Sequence, residues 1–405
     1  MFDYIKIEGF RSFKNVELEM PRLAVLIGPN GGGKSNFIDL MSLMSEAAQG
    51  HLSDAIAGRG GFRSVAFGFD WFGEIQLGFR FRGKTYPEGP IPGPPPLSGE
   101  LGRDVRFKLG LKGEPWAPVV TLEEITEEPT PERPQATSVI RRSRESCVFG
   151  DRGPSLSGVP YARTLESQSE LAISQIKDLY QYPIPYALSR QFEQWAFYRE
   201  IYVGPKAHVR LPTLLRPLTR LAEHDEDANL SAVLHTIKER YHETWEEVLE
   251  LLHTACPGFR DIRIPGEGGD GKVLLRWCED PYAKDGISAN LLSDGTLKLL
   301  CLIAILKSPN PPPLICIDEP ELGLHPDWIE LVAELMQDAA ARTQVIVATH
   351  SPHIVAKLDP DQVIVTEKEN GETRLERLSA KDLEKWLRDF NLADLWLAGH
   401  IGGRP

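Results

Sequence analysis

The sequence predicts an α/β fold built around a mainly parallel sheet, and three short stretches predict it. Residues 28–35 read Gly28-Pro29-Asn30-Gly31-Gly32-Gly33-Lys34-Ser35, a complete G-x-x-x-x-G-K-[ST] loop between the apolar run Leu23–Ile27 and a helix-compatible segment, Asn36–Met44. Leu314-Ile-Cys-Ile is four apolar residues closing on Asp318-Glu319, and Val345-Ile-Val-Ala closes on Thr349-His350-Ser351. Apolar runs this short, separated by helical stretches, read as strands buried on both faces that deliver polar groups at their C-terminal ends.

The remaining elements follow in chain order. Tyr4–Gly9 and Val16–Met20 alternate as strands feeding the Leu23–Ile27 strand. After the first helix, Gly58-Arg-Gly-Gly61 is a turn, and Ile75–Phe81 alternates as a strand of a second, antiparallel sheet. Residues 87–96 hold too many prolines for a helix or a central strand and read as an extended loop. Val105–Leu111 and Val119–Ile125 are a further strand pair, and the apolar-poor stretch Glu127–Gly158 reads as loop. From Ser167 to His253 the period turns helical. Leu230, Val233, Leu234, Ile237, Tyr241, Trp245, Val248, Leu249 and Leu252 form one stripe, read as a core face ahead of a dimer seam. Residues 259–278 return to strands split by the glycines at 266–271, an apolar helix spans Leu297–Leu306, and a final helix is predicted over Ala380–Phe390.

Composition bounds the function. At 405 residues, 41% hydrophobic and 25% charged, the chain is an ordinary globular sequence of two to three cores. It lacks a run of about 18 apolar residues and a signal-peptide pattern at its start, and its five scattered cysteines form no C-x-x-C pair. The expectation is a cytoplasmic protein with reduced thiols and no membrane contact. With a net charge of −13, any contact with DNA has to be local or belong to a partner. The strongest basic cluster, Arg141, Arg142 and Arg144, reads as a solvated loop.

The chemistry lies in the punctuated strand ends. Glycines at 28 and 31–33 let successive backbone N–H groups curl around a phosphate, Lys34 supplies a point charge for the β/γ-phosphates, and Ser35 offers a hydroxyl to Mg²⁺. The following helix adds its N-terminal dipole. Asp318 is placed to hold the Mg²⁺ shell, Glu319 to polarise an attacking water, and His350 to donate to the γ-phosphate. Leu292-Ser293-Asp294-Gly295-Thr296 opens the apolar helix, where a Ser and a Gly form an anion site.

These elements, in this order, resemble the ABC-type ATPase heads of the SMC, RecF and OLD group, and within it the free-standing bacterial OLD/RecF-like ATPases of the AAA family. Ile5-Lys-Ile-Glu-Gly-Phe-Arg11, the Gly-Lys-Ser-Asn36 ending and Leu395-Trp-Leu-Ala-Gly-His-Ile-Gly-Gly403 carry the resemblance, over about residues 1–80 and 285–405. It implies an ABC-type head, with a mainly parallel sheet and an antiparallel β subdomain, interrupted by a large, partly helical insertion. The lobes would be residues 1–82 and 285–405, with the insertion at 83–284. It further implies a head-to-head homodimer with ATP and Mg²⁺ at composite sites. Gly28, Pro29, Asn30, Gly31, Gly32, Gly33, Lys34, Ser35 and Asn36 of one copy would be capped by Ser293 and Gly295 of the other, with Arg11 or Lys14 positioning the nucleotide.

Two departures bear on this. Asp294 stands where transporter ATPases usually carry glycine, and the glutamine expected after the first helix is not evident: Gln49 lies near a helix end and Gln76 in a strand, and neither is assigned the role. The 284 positions between Lys34 and Asp318 also speak against a transporter-coupling ATPase. The 55 residues after His350 are too few for a Toprim nuclease domain, so a nuclease or other effector is expected on a separate polypeptide. The resulting reading is an ATP-hydrolysing switch in DNA-related defence or repair. An ATP-locked DNA clamp with little turnover is the alternative.

Overall fold

The computed structural model describes the chain except residues 84–100, 102, 115–116, 130–134, 144–145, 150–160, 225, 227–228, 283 and 404–405. The proline-rich stretch 87–96 lies outside the described residues. One six-stranded sheet carries the phosphate loop. Its order is β10 (Ala196–Tyr198), β17 (Leu314–Asp318), β18 (Gln344–Ala348), β3 (Leu23–Ile27), β19 (Val363–Glu369) and β20 (Glu372–Arg377). The first five run parallel, and β20 returns antiparallel beside β19.

Alternation explains why these strands are apolar throughout. Val25, Ile27, Ile315, Ile317, Val345 and Val347 enter one core, while Ala24, Leu26, Leu314, Cys316, Ile346 and Ala348 enter the other. Helix α1 (Lys34–Ala48) packs into the second core through Phe37, Leu40, Met41 and Met44. The first core takes the long helices Asp294–Leu306 and Pro326–Arg342. A sheet covered on both faces needs hydrophobic residues at every position, which erases the period-two signal.

The second large sheet is antiparallel, in the order β2 (Phe13–Glu19), β1 (Phe2–Phe10), β4 (Glu74–Phe81), β5 (Val105–Gly113), β6 (Pro118–Glu127), β7 (Thr137–Ser143), β8 (Ser146–Phe149) and β9 (Tyr161–Thr164). Phe2, Phe79, Phe81 and Phe107 on its inner face meet Phe192 and Trp195, with Phe192 and Trp195 ring centroids 4.8 Å apart. Among the described residues, two small three-stranded sheets complete the strands: β11 (Thr213–Leu214), β14 (Lys272–Val273) and β13 (Gly266–Glu267), then β12 (Phe259–Arg263), β15 (Arg276–Glu279) and β16 (Ile287–Ser288).

Three expectations are corrected. The stretch read as loop, Glu127–Gly158, contains β7 and β8. They are held by ladder pairing, by Ile140 and Cys147 in the core and by a buried ion pair between Glu123 and Arg142. That pair also overturns the solvated-cluster reading. Arg142 has a fully buried side chain 3.5 Å from the equally buried Glu123, although Arg141 beside it is exposed. The helix predicted over Ala380–Phe390 is helical only over Ala380–Leu383, with turns following, because only Leu383 and Leu387 pack partly against the core and no side chain of the segment is fully buried. The 229–253 stripe does bury into the core, but as two helices, Leu230–Arg240 and His242–Ala255, separated at Tyr241, whose ψ of 66° breaks the period.

Candidate nucleotide site

The loop after β3 owes its shape to glycine. Gly28, Gly31 and Gly33 have φ of 147°, 75° and 112°, which L side chains rarely adopt. A Cβ on Gly28 would also stand 2.2 Å from the Thr366 carbonyl oxygen, and one on Gly33 would stand 2.5 Å from Thr373 Oγ1. Strands β19 and β20 therefore press directly against the loop. Thr373 Oγ1 donates to the Gly32 carbonyl at 3.0 Å, and Thr366 Oγ1 to the Ile27 carbonyl at 3.0 Å. The Ile401–Gly403 segment closes the far side, where a Gly403 Cβ would be 3.2 Å from Gly28 Cα.

Lys34 Nζ folds back onto the Gly28 and Pro29 carbonyls at 2.8 and 3.1 Å. Burial pushes its pKa down, opposed by Asp318, Glu319 and Glu321, so three carboxylates converge on one ammonium. Ser35 Oγ donates to Asp318 Oδ2 at 3.3 Å. Burial holds the Asp318 carboxyl above its ordinary range, and Glu319 adds to that shift. Two oxygen ligands side by side at the helix start fit Mg²⁺, which takes one or two protein ligands and completes its shell with phosphates and water.

Glu319 has a φ of 48°, a left-handed backbone uncommon for a side chain of this size, and its N–H donates to the Ala348 carbonyl at 2.8 Å. The turn brings its carboxylate to 3.8 Å from His350 Nε2. Burial lowers the His350 pKa from 6.5, Lys34 lowers it further, and Glu319 opposes both. Both lowering effects favour the neutral imidazole.

Ser293 caps the helix Asp294–Leu306, with its Oγ accepting from the Thr296 N–H at 3.1 Å. Asp294 has a structural partner. Buried Arg210 reaches its Oδ1 at 2.5 Å and donates to the carbonyls of Val203, Gly204 and Leu292 at 2.9, 3.0 and 2.7 Å. Gly295 packs against the turn after Glu319, since a Cβ there would meet the Gly323 carbonyl at 3.1 Å. Lys298, on the same helix, donates to the Leu322 carbonyl at 2.6 Å.

Asn36 Nδ2 donates to Ser12 Oγ at 2.8 Å, and Arg11 bridges Asn36 Oδ1 at 3.2 Å and Asp39 Oδ2 at 2.6 Å. Lys14 instead pairs with Glu372 on the surface. Asn30 and Gly31 are exposed at the loop crest. Gln76 lies in β4, and Gln49 caps α1 with a contact to Ser45. The structure thus gathers Gly28–Asn36, Asp318, Glu319 and His350 at the ends of adjacent strands, while Ser293 and Gly295 lie on the helix behind them. Sequence reasoning missed Arg210, Glu321, Thr366 and Thr373. Glu321 alone had a local signal, as the third carboxylate of Asp318-Glu319-Pro320-Glu321.

Residues 23–86 and 164–356, more than half of the chain, match the family described as "AAA domain, putative AbiEii toxin, Type IV TA system". The chain belongs to this AAA-domain family. Members are P-loop ATPases, so nucleotide binding comes with membership. Two curated relatives are also similar. The chromosome partition protein Smc of Methanocaldococcus jannaschii is 24% identical over 139 residues, 31% of this chain and 12% of that protein. The Retron Vc95 probable ATPase of Vibrio cholerae is 31% identical over 74 residues, 18% of this chain and 14% of that protein. The chain thus spans only a small share of either relative's length. Among solved structures, an SMC head bound to the C-terminal winged-helix domain of ScpA superposes with a TM-score of 0.54 at 15% identity, covering 94% of this chain and 99% of that one. The Smc head of Pyrococcus furiosus, with an extended coiled coil and the C-terminal domain of ScpA, gives 0.51 at 14% identity, covering 96% and 98%. The AAA-domain chain therefore has the SMC-head fold, a parallel sheet joined to an antiparallel one. No described helix is long and apolar enough to cross a membrane.

Proposed function

We propose that this chain binds ATP with Mg²⁺ at Gly28–Asn36 and Asp318, hydrolyses it, and uses the cycle as a switch between separate and paired copies. One observation carries the reading. Ser35 and Asp318 stand 3.3 Å apart, with the Glu319–His350 pair at 3.8 Å on the neighbouring strand ends, so cation ligands and a water-polarising base share one edge of the sheet. Lys34 exchanges its loop carbonyls for phosphate oxygens, Glu319 takes the proton of the attacking water, and neutral His350 donates to the terminal phosphate. Mg²⁺ held by Ser35 and Asp318 would supply charge neutralisation at the phosphates.

Pairing rests on Ser293 and Gly295 capping the nucleotide of a second copy. Leu291 and Leu322, flanking them, are 74% and 57% exposed, apolar surface that a second copy would cover. The family's description and the retron ATPase's name favour a role in defence, with a separate effector such as a nuclease, and DNA met through a local patch or through that partner. All five cysteines are buried and outside disulfides, which fits a reducing cytoplasm.

The test is ATP turnover and solution mass for wild type and Glu319→Gln, with and without DNA. Turnover lower by about 100-fold in the variant, together with an ATP-dependent dimer, supports the reading. Undiminished turnover in the variant, or a monomer with ATP, overturns it. A wild-type dimer without turnover would mark an ATP-locked clamp.

A further inference from the structure

The residue level with Asp318 on the neighbouring strand is an arginine. In the parallel pair β10–β17, Ala196 is opposite Ile315, Phe197 opposite Cys316 and Tyr198 opposite Ile317. The next residue, Arg199, therefore leaves the C-terminal end of its strand beside Asp318, the edge of a parallel sheet where ligands are held. Neither Gln49 nor Gln76 occupies this place.

Arg199 Nη2 pairs with Asp39 Oδ1 at 2.7 Å. Asp39 lies one turn after Ser35 on α1 and is 4% exposed. Three guanidinium groups share this carboxylate, because Arg11 and Arg59 also reach it, at 2.6 and 3.1 Å. They are not equivalent. Arg59 is only 11% exposed at its side chain and is anchored further by Glu46, Ser42 and the Ala55 carbonyl, and Arg11 also holds Asn36. Arg199 is 47% exposed at its side chain, and its hydrogen bonds among the described residues run to Asp39 alone. It is the arginine that can leave at least cost, since Asp39 keeps two partners. Its charge already stabilises the ionised form of Asp318.

Building on the ATP-site reading above, we infer that Arg199 is the group that distinguishes a nucleoside triphosphate from a diphosphate, leaving Asp39 to meet the terminal phosphate. A planar fork suits phosphate oxygens better than a second ammonium, and Lys34 already supplies the point charge. The salt bridge to Asp39 is then a resting position, filled when the terminal phosphate is absent.

The experiment is calorimetric binding of ADP and of a non-hydrolysable ATP analogue, with Mg²⁺, to wild type, Arg199→Ala and Arg199→Lys, alongside thermal unfolding. A charge-assisted hydrogen bond predicts that Arg199→Ala loses about 10- to 100-fold in triphosphate affinity, with ADP affinity changed by less than about 2-fold. Arg199→Lys should fall between. Equal losses for both nucleotides would mean that Arg199 only supports the fold, and unchanged affinities would mean that it does not reach the phosphate. Either result overturns the inference. If Arg199→Ala does not fold, Arg199→Lys, which keeps a charge against Asp39, carries the same comparison. Wild type that binds neither nucleotide would instead sink the ATP-site reading itself.

Discussion

Glu321 Oε1 accepts the backbone N–H of His350 at 2.9 Å, so a carboxylate two residues past Glu319 sets where the histidine stands. The same oxygen accepts from Thr349 Oγ1 at 2.7 Å, tying the end of β18 to the turn after β17. Removing the acceptor frees two donors and lets His350 drift from Glu319. Glu321→Ala should lower turnover by about 10-fold or more with little change in ATP affinity, because the lost quantity is alignment. Steady-state kinetics beside equilibrium binding checks this. A weakened affinity with unchanged turnover would contradict it.

His350 offers a readout in the nucleotide-free protein. Burial and Lys34 depress its pKa below 6.5, whereas Glu319 raises it. A histidine whose folded pKa is depressed contributes stability that is present above pH 6.5 and lost as pH falls through the folded value. NMR titration of the ring should give a midpoint below 6.5. Glu319→Gln should move that midpoint lower still, and Lys34→Ala should move it up. Movement in the opposite sense in either variant would show that the ring does not face these charges.

Asp294 can be judged through Arg210. The buried guanidinium spans the Val203–Gly204 turn, the Leu292 carbonyl and Asp294, so it holds the loop ahead of Ser293 in shape. Arg210→Ala leaves several buried carbonyls without a donor and should cost about 2–4 kcal/mol in denaturant unfolding. Asp294→Gly removes one partner and should cost about 1–3 kcal/mol. Both variants keep Gly28–Ser35 intact, so one-to-one ATP binding should survive while ATP-dependent pairing weakens, as light scattering would register. Pairing at wild-type strength in Arg210→Ala would disconnect this loop from the partner copy.

What was legible in the sequence shares one physical basis. Gly28–Ser35, Asp318-Glu319 and His350 are each a local change, from an uninterrupted apolar strand to polar or glycine residues, and such changes are readable within ten residues. The contacts that shape the site are not local. Thr373 meets Gly32 across 341 positions, and Arg199 meets Asp39 across 160. Threonine or arginine at those positions has no local pattern to mark it. The failure at Arg142 has a different cause. Apolar content stood in for burial, and a charged side chain satisfied by a carboxylate and backbone carbonyls defeats that substitution.

The tail offers a test of how tightly the phosphate loop is seated. Gly403 has a φ of 54°, its N–H donates to Glu367 Oε1 at 2.8 Å, and its carbonyl accepts from the buried Trp396 Nε1 at 2.5 Å. A Cβ on it would stand 2.8 Å from Val365 Cγ1, on the side facing Gly28. Gly403→Ala should cost about 1–3 kcal/mol of stability and weaken ATP binding together, since strain relieved on this side displaces the loop. Thermal unfolding and calorimetry check both. A loss of stability with unaltered ATP affinity would show that the segment and the loop move independently.

Glu123 and Arg142 make the last prediction, away from the site. Glu123 accepts the N–H groups of Ala172 and Ile173 at 2.5 and 3.0 Å, and Arg142 donates to the carbonyls of Glu170, Ser167 and Gln168 at 2.5, 3.2 and 2.8 Å. The pair therefore pins the 167–173 segment to β6 and β7 and satisfies its backbone out of water. Removing one charge strands the other, so Glu123→Ala should cost about 3–5 kcal/mol, read as a lower urea midpoint at unchanged slope. Replacing both residues with leucine removes the stranded charge but leaves the backbone groups unpaired, so it should recover only part of the loss. Full recovery would mean that the backbone groups find other partners and that the charges are dispensable to this junction.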